Sequence, residues 1–356
     1  MRGGTLEAMA SDYSRLLRGM VRYYPVVLKN FRNYFGNLYI RRIKKSSVVR
    51  PYSAVFYATH KCNLDCSYCT QKNPEVFSEE LDTARTIAVL HAIRRGVDTI
   101  LFTGGEPLIR PDIGELVRAA RREAKFLDVL LVTNGVLLDQ RQEILDHLTG
   151  LVVSLDAITP EPNGRLTKSS VVRRVLDNLE IVRSKLPPRA VTISCVLEEW
   201  NIGEAERILE YCARHGHVFS VQSAQNGLHP DFSLLYNRRY RDFVDKLVRL
   251  RSERKVPING TPKLLRTLLE FKDFHCYPTM FPRVYPNGDV FYPCEPLRKI
   301  AGNVLEDGSF AKIFERGRRL YGEVPECKSI CYLFGNVVSS FYVEDFWGFA
   351  GDTIRR

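Results

Sequence analysis

Thr59-His60-Lys61-Cys62-Asn63-Leu64-Asp65-Cys66-Ser67-Tyr68-Cys69 follows an apolar run, Ala54–Ala58, that reads as a β-strand. The cysteines are spaced C-x3-C-x2-C, so one short loop carries three thiolates. Three thiolates this close can hold three irons of a cubane iron–sulfur cluster. The fourth iron then has no protein ligand and offers a place for a chelating substrate. A second reading makes His60 the fourth ligand of a structural zinc ion. Zinc sites are normally built from two separated ligand pairs, whereas here a triplet faces a single nearby histidine.

Beyond the loop, short apolar runs alternate with helical periodicity. Strands are expected at Ala54–Ala58, Thr99–Phe102, Val129–Val132, Leu151–Leu155, Val191–Val196 and Val218–Gln222. Helices are expected between them at Glu79–Arg95, Ile113–Ala124, Asp139–Leu148, Ser169–Lys185 and Gly203–His215. Ala205, Ile208, Leu209 and Cys212 share one face of the last of these, and Gly216 stops it. Strands alternating with helices imply right-handed βαβ units and a parallel sheet. Six units are too few for a closed eight-fold barrel, so the expected fold is α/β, a partial (β/α)6 TIM-like open barrel. Chemistry in such a fold collects at the carboxyl ends of the strands.

The βα rhythm stops near residue 225. Helical stretches follow at Leu234–Arg254 and Pro262–Lys272, then a segment rich in Pro, Gly, Tyr and Cys from Phe274 to about Gly335. The expected division is a basic N-terminal arm over 1–50, the barrel over 51–230, a helical connector over 231–273 and a small Cys-rich module over 274–356.

Further motifs close successive strands. Thr103-Gly104-Gly105-Glu106-Pro107 ends the second, Thr133-Asn134-Gly135 the third and Ser154-Leu155-Asp156 the fourth. Glycines let a chain bring carbonyls close to a ligand. Ser154 and Asp156 are two apart and point to one face, where a hydroxyl and a carboxylate can grip a diol. Each element alone is a common turn or cap. Together with C-N-L-x-C-x-Y-C they resemble, in order, the motifs of the radical S-adenosylmethionine (SAM) superfamily over about residues 52–225. That resemblance implies that Cys62, Cys66 and Cys69 hold a 4Fe–4S cluster whose open iron binds the methionine part of SAM. It also implies that Gly104, Gly105 and Glu106 hold that methionine part, and that the backbone beside Tyr68 meets the adenine. Asn134 lies in the matching third-strand turn, while Ser154 and Asp156 hold the ribose. Reductive cleavage of SAM then yields a 5′-deoxyadenosyl radical that abstracts hydrogen from an unactivated carbon. A reductant such as ferredoxin or flavodoxin is implied as well. The fifth strand lacks the glycine-rich motif of some members. Cys195 and Cys212 have no partners in sequence and read as buried thiols.

Cys276, Cys294, Cys327 and Cys331 are four ligands, enough to close a second 4Fe–4S cluster or a zinc knot. Tyr285-Pro286-Asn287-Gly288-Asp289 reads as a tight turn that folds Cys294 back toward Cys276. With Gly302-Asn303-Val304 and a helix over Phe310–Arg316, this segment resembles the SPASM/twitch modules of radical SAM enzymes. Five residues separate Gly288 from Cys294 where four are usual, and the later cysteine run is short. The expectation is therefore one auxiliary cluster.

The chain has 356 residues, 45% of them hydrophobic, so a full core is affordable. No apolar run is long enough to span a bilayer, and seven of the nine cysteines fall into two clusters, which suits a reducing compartment. A cytoplasmic protein is expected. The formal charge is +11, yet residues 11–50 alone hold ten basic side chains against Asp12, leaving the body near neutral. Nucleic acid is therefore not expected as a partner. In the arm, Leu16, Leu17, Met20, Tyr24, Val27, Leu28, Phe31, Phe35 and Leu38 lie opposite Arg15, Arg18, Arg22, Lys29 and Arg32, with a kink or restart at Pro25. This basic amphipathic helix either packs its apolar side over the open barrel or rests in the inner face of a membrane through residues 15–45. The second option points to a hydrophobic or lipid substrate, with peptide or porphyrin modification as the alternatives. A non-catalytic zinc scaffold is the competing class, and it leaves the strand-end motifs unexplained.

Overall fold

The computed structural model describes residues 28–66, 68–69, 79–159, 169–226, 228–325 and 331–354. Most of the arm and Cys327 lie outside these residues. A helix, α1, spans residues 28–42. The body then alternates β1 (Ala54–Thr59), α2 (Thr83–Gly96), β2 (Thr99–Gly104), α3 (Ile113–Arg122), β3 (Asp128–Thr133), β4 (Gly150–Ser154), α4 (Ser169–Arg183), β5 (Val191–Leu197), α5 (Ile202–His215) and β6 (Val218–Ser223). A small hairpin, β7 (Gln225–Asn226) and β8 (His229–Pro230), leads to α6 (Arg238–Ser252) and α7 (Pro262–Leu269). The remainder is β9 (Arg283–Val284), β10 (Asp289–Phe291), β11 (Ile300–Asn303), α8 (Val304–Asp307), α9 (Phe310–Tyr321), α10 (Phe334–Glu344) and α11 (Phe346–Ile354).

The six expected strands all form and pair in parallel, in the order β1 to β6. Their outward side chains, such as Phe56, Ile100, Val129, Leu151 and Ile193, are fully or almost fully buried against the helices. The sheet does not close on itself. Beyond β1 it continues through β9, β10 and β11, so the C-terminal segment extends the barrel's own sheet. β9 runs parallel to β1, with Arg283 opposite Val55 and Val284 opposite Phe56. The expected turn forms between β9 and β10: Gly288 takes φ +89° and donates to the Tyr285 carbonyl at 2.9 Å. Asn303 locks this turn by donating to the Asn287 carbonyl and to Asp289.

Two helical expectations are corrected. Asp139–Leu148 is not an α-helix but two 3-10 turns, Leu138–Gln140 and Gln142–Asp146. Arg141 between them leaves helical geometry (φ −133°, ψ 34°), and no side chain caps either piece. The second difference is α10, which the loop-like composition of that region did not announce. It bridges the sheet from one side to the other. Its Phe334 N–H donates to Gln222 on β6, and its Asn336 accepts from Arg283 on β9. Ser339 accepts from the Tyr277 N–H at 2.9 Å, and Tyr342 packs on Tyr52 just before β1.

The described part of the arm, from residue 28, does not lie over the barrel mouth. Within α1, Phe31 and Tyr34 pack on Phe346 and Phe349 of α11. Lys29 pairs with Asp98, at the amino end of β2, and Arg41 with Glu344. The apolar side of α1 is thus partly spent on protein, at the end of the strands opposite the cysteine loop. Leu28, Phe35, Tyr39 and Ile43 stay exposed. Among the described residues, no helix is long and apolar enough to cross a membrane.

Candidate active site

The cysteine loop leaves β1 at Thr59 and is sewn to the end of β2 by its backbone. Gly105 N–H donates to the Thr59 carbonyl at 2.9 Å, and Glu106 N–H to the Lys61 carbonyl at 2.8 Å. This contact is why the position needs glycine. Gly104 has φ +141°, and a Cβ on it would overlap the Thr59 carbonyl oxygen. A Cβ on Gly105 would stand 2.6 Å from the Lys61 carbonyl carbon and 2.7 Å from the His60 oxygen. The glycine pair therefore first allows two backbones to touch, beyond the carbonyl exposure read from the sequence.

Glu106 is buried, and burial pushes its carboxyl pKa up against the opposing effect of its hydrogen bonds. One oxygen accepts from Leu108 N–H and the Thr133 hydroxyl at 3.0 and 2.7 Å; the other accepts from Asn134 N–H at 2.7 Å. It thereby ties the end of β2 to the end of β3. Asn134 reaches on to Asn63 inside the cysteine loop, Nδ2 to Oδ1 at 2.8 Å.

Asp156 lies beyond β4. Its carboxylate accepts from the Tyr68 hydroxyl and from Val196 N–H, the latter at 2.6 Å. Burial raises its pKa to about 6, although both hydrogen bonds oppose the rise. Tyr68 is therefore anchored by its hydroxyl, which orients the residue between Cys66 and Cys69. Ser154 is exposed toward the same space. Cys66, Tyr68, Asn134, Ser154 and Asp156 line one cavity of about 430 Å³, open to solvent and walled by Leu64, Val172 and Val175. Cys62 is exposed, whereas Cys66 and Cys69 are half-buried. Burial raises the thiol pKa values of Cys62 and Cys66, and neighbouring thiols add to the rise, so a bound cation would be needed to keep them as thiolates.

Two residues that no motif announces hold the loop's base. Glu80 accepts from the Thr59 hydroxyl at 2.6 Å and from His60 N–H at 3.1 Å. Arg110, buried, donates to the Ala58 carbonyl at 2.8 Å, to the Leu81 carbonyl and to Thr86, and pairs with Asp112. A lone Arg three residues past a Pro gives no sequence signal; only the fold aims it at β1. His60, the alternative zinc ligand, packs its ring edge-on to Tyr285 at 5.0 Å. Among the described residues, no three Cys, His, Asp or Glu side chains converge on a single-ion site.

Of the second cysteine group, three members are described and share one wall. Cys276, Cys294 and Cys331 line one cavity of about 510 Å³ with Leu228, Phe274 and Asn336. Pro325, two residues before Cys327, lines it too, while Cys327 itself lies outside the described residues. Burial, then the neighbouring Cys294 and Cys331, raise the Cys276 thiol strongly. Cys195 and Cys212 are buried in the core.

Comparison with known proteins agrees with this geometry. Residues 56–212 match the radical SAM superfamily. A probable GTP 3',8-cyclase of Methanocaldococcus jannaschii is 31% identical over 168 residues, 46% of this chain and 55% of that protein. A PqqA peptide cyclase of Gluconobacter oxydans is 37% identical over 161 residues, 43% of each chain. The chain thus spans about half the length of these curated relatives. Among solved structures, Streptococcus suis SuiB bound to the precursor peptide SuiA superposes with a TM-score of 0.61 at 18% identity, covering 86% of this chain and 74% of that one. The AdoMet-bound anSMEcpe gives 0.56 at 18%, covering 86% and 98%. These last two speak for the fold alone. With the family match lying on the strands and loop just described, residues 56–212 of this chain carry a radical SAM domain.

Proposed function

We propose that this chain cleaves SAM reductively and uses the resulting radical to modify a peptide. The observation that carries the first half is the cavity that joins Cys66 and Tyr68 to Asn134, Ser154 and Asp156, beside a glycine pair packed on the cysteine loop. These residues fit a three-thiolate cluster and an adenosyl ligand: sulfur donors at one end, a hydroxyl and a carboxylate at the other. When bound, the cluster supplies the electron that splits SAM into methionine and a 5′-deoxyadenosyl radical. The chain's part is to position. Cys62, Cys66 and Cys69 would hold the cluster, and Glu106 holds β2 and β3 in register beneath it. Asp156 fixes Tyr68, and with Ser154 offers acceptors to ribose hydroxyls. Val172 and Val175 keep one wall of the cavity dry.

A peptide is favoured over the lipid suggested by the arm. Part of the arm's aromatic side is committed to α11, and one of the curated relatives is named for a peptide, the PqqA peptide cyclase. Nucleotide chemistry is the second reading, from the GTP cyclase likeness. An auxiliary 4Fe–4S cluster on Cys276, Cys294, Cys327 and Cys331 belongs to the same proposal, supported by the shared cavity of the three described thiols.

The test is anaerobic iron and sulfide reconstitution, followed by product analysis with SAM and dithionite. Wild type is expected to release 5′-deoxyadenosine and to bind about eight irons, falling to about four in the Cys62/Cys66/Cys69 triple Ala variant. Cys66→Ala is expected to abolish cleavage. Cleavage that persists in Cys66→Ala overturns the assignment.

A further inference from the structure

We propose that the Arg283 guanidinium is the counter-charge of the C-terminal cysteine site and sets the reduction potential of the cluster held there. This rests on the auxiliary-cluster reading above. Arg283 sits on β9, opposite Val55 of β1. Its Nη1 is shielded from solvent and has no hydrogen-bond partner among the described residues. Its Nη2 donates to Asn336 Oδ1 at 3.2 Å, and Asn336 Nδ2 donates in turn to Cys331 Sγ at 3.0 Å. A guanidinium, an amide and a thiol thus form one line into the cavity.

Charge bookkeeping explains why this cation belongs to the cysteines. Burial pulls the Arg283 pKa down, but Tyr57, Cys294, Glu295 and Cys331 more than offset that, so it stays charged. The nearby carboxylate, Glu295, pairs with Arg298 at 2.9 Å. Among the described residues no carboxylate forms an ion pair with Arg283, and a cation shielded from solvent at Nη1 without a counter-ion is costly. The cavity beside it is walled by Leu228, Phe274, Leu297 and prolines, which cannot neutralise charge. Cys331 and Asn336 bracket the start of α10, whose positive dipole end adds potential on the same side. A four-thiolate cluster is anionic, and reduction adds a further negative charge. In a dry pocket a fixed cation favours the reduced form and raises the potential. Arg283 acts through Asn336 and through space, as a positioning residue.

The test uses the full chain in the Cys62/Cys66/Cys69 triple Ala background, where only the C-terminal site can load. Iron content and a redox titration followed by electron paramagnetic resonance are read for the parent, Arg283→Gln and Arg283→Lys. The expected result is about four irons in all three, with Arg283→Gln at least tenfold harder to reduce, about 59 mV more negative for one electron. Arg283→Lys, which keeps the charge, is expected to recover most of that shift. Full iron with an unmoved potential in Arg283→Gln overturns the role of Arg283 and leaves the cluster reading intact. Loss of iron from both Arg283 variants assigns the residue to packing and also overturns the proposal. No iron in the parent itself overturns the cluster reading.

Discussion

Substituting Gly105 by Ala is the sharpest probe of how the cysteine loop is held. The added methyl would stand 2.6 Å from the Lys61 carbonyl carbon and 2.7 Å from the His60 oxygen, against about 3.4 Å for ordinary contact. Both neighbours are backbone, so neither can rotate away, and the two chains must part by nearly an ångström. The hydrogen bonds from Gly105 N–H to Thr59 and from Glu106 N–H to Lys61 then stretch out of range. Two such bonds are worth about 0.5–1.5 kcal/mol each, and residual strain adds to this, giving a loss of about 2–4 kcal/mol. That is a large part of a typical domain's stability. Urea unfolding of the metal-free protein measures it without a contribution from bound iron. Gly335→Ala is the control, since a Cβ there meets nothing nearer than 4.0 Å and its backbone is helical. A Gly105→Ala variant within 0.5 kcal/mol of wild type, with normal iron loading, would falsify the claim that this pair exists for backbone contact.

Asp156 has its pKa raised to about 6, above the usual carboxylate value of about 4. The folded state therefore binds the extra proton between those values, and stability is lost as pH rises from about 4 through about 6. The difference between wild type and Asp156→Asn should change by about 2–3 kcal/mol across that window in metal-free protein; a flat difference refutes the burial argument. Phe349 touches Phe31, Tyr34, Tyr52 and Tyr342, so Phe349→Ala should cost about 3–5 kcal/mol. It should also speed trypsin cleavage at Arg41 and Arg42, whereas unchanged cleavage would mean α1 is held by other contacts.

The barrel was legible because its strands are short runs of Val, Ile and Leu with one strongly buried face, as in Val129–Val132 and Val191–Val196. The strand-end motifs were legible because their residues sit next to one another in sequence. What escaped was contact across the chain. Asp156 reads as a free carboxylate until the fold brings Tyr68 to it, and Arg110 as a surface cation until it is seen donating to Ala58. The helix α10 escaped for a different reason. Residues Asn336 to Val343 are all buried, so the segment has no polar face to betray a period of 3.6. Residues 28–42 of the arm form a helix, but periodicity cannot say what an apolar side covers.

The parallel pairing of β9 with β1 has a mechanical consequence. One strand leads into the first cysteine loop, and the other carries the arginine beside the second cysteine group. Their hydrogen-bond ladder, with Val55 facing Arg283, acts as a fixed spacer. Whatever the two sites hold is held apart by a sheet instead of a hinge. Any electron passing between them crosses a gap that the pairing of these two strands sets.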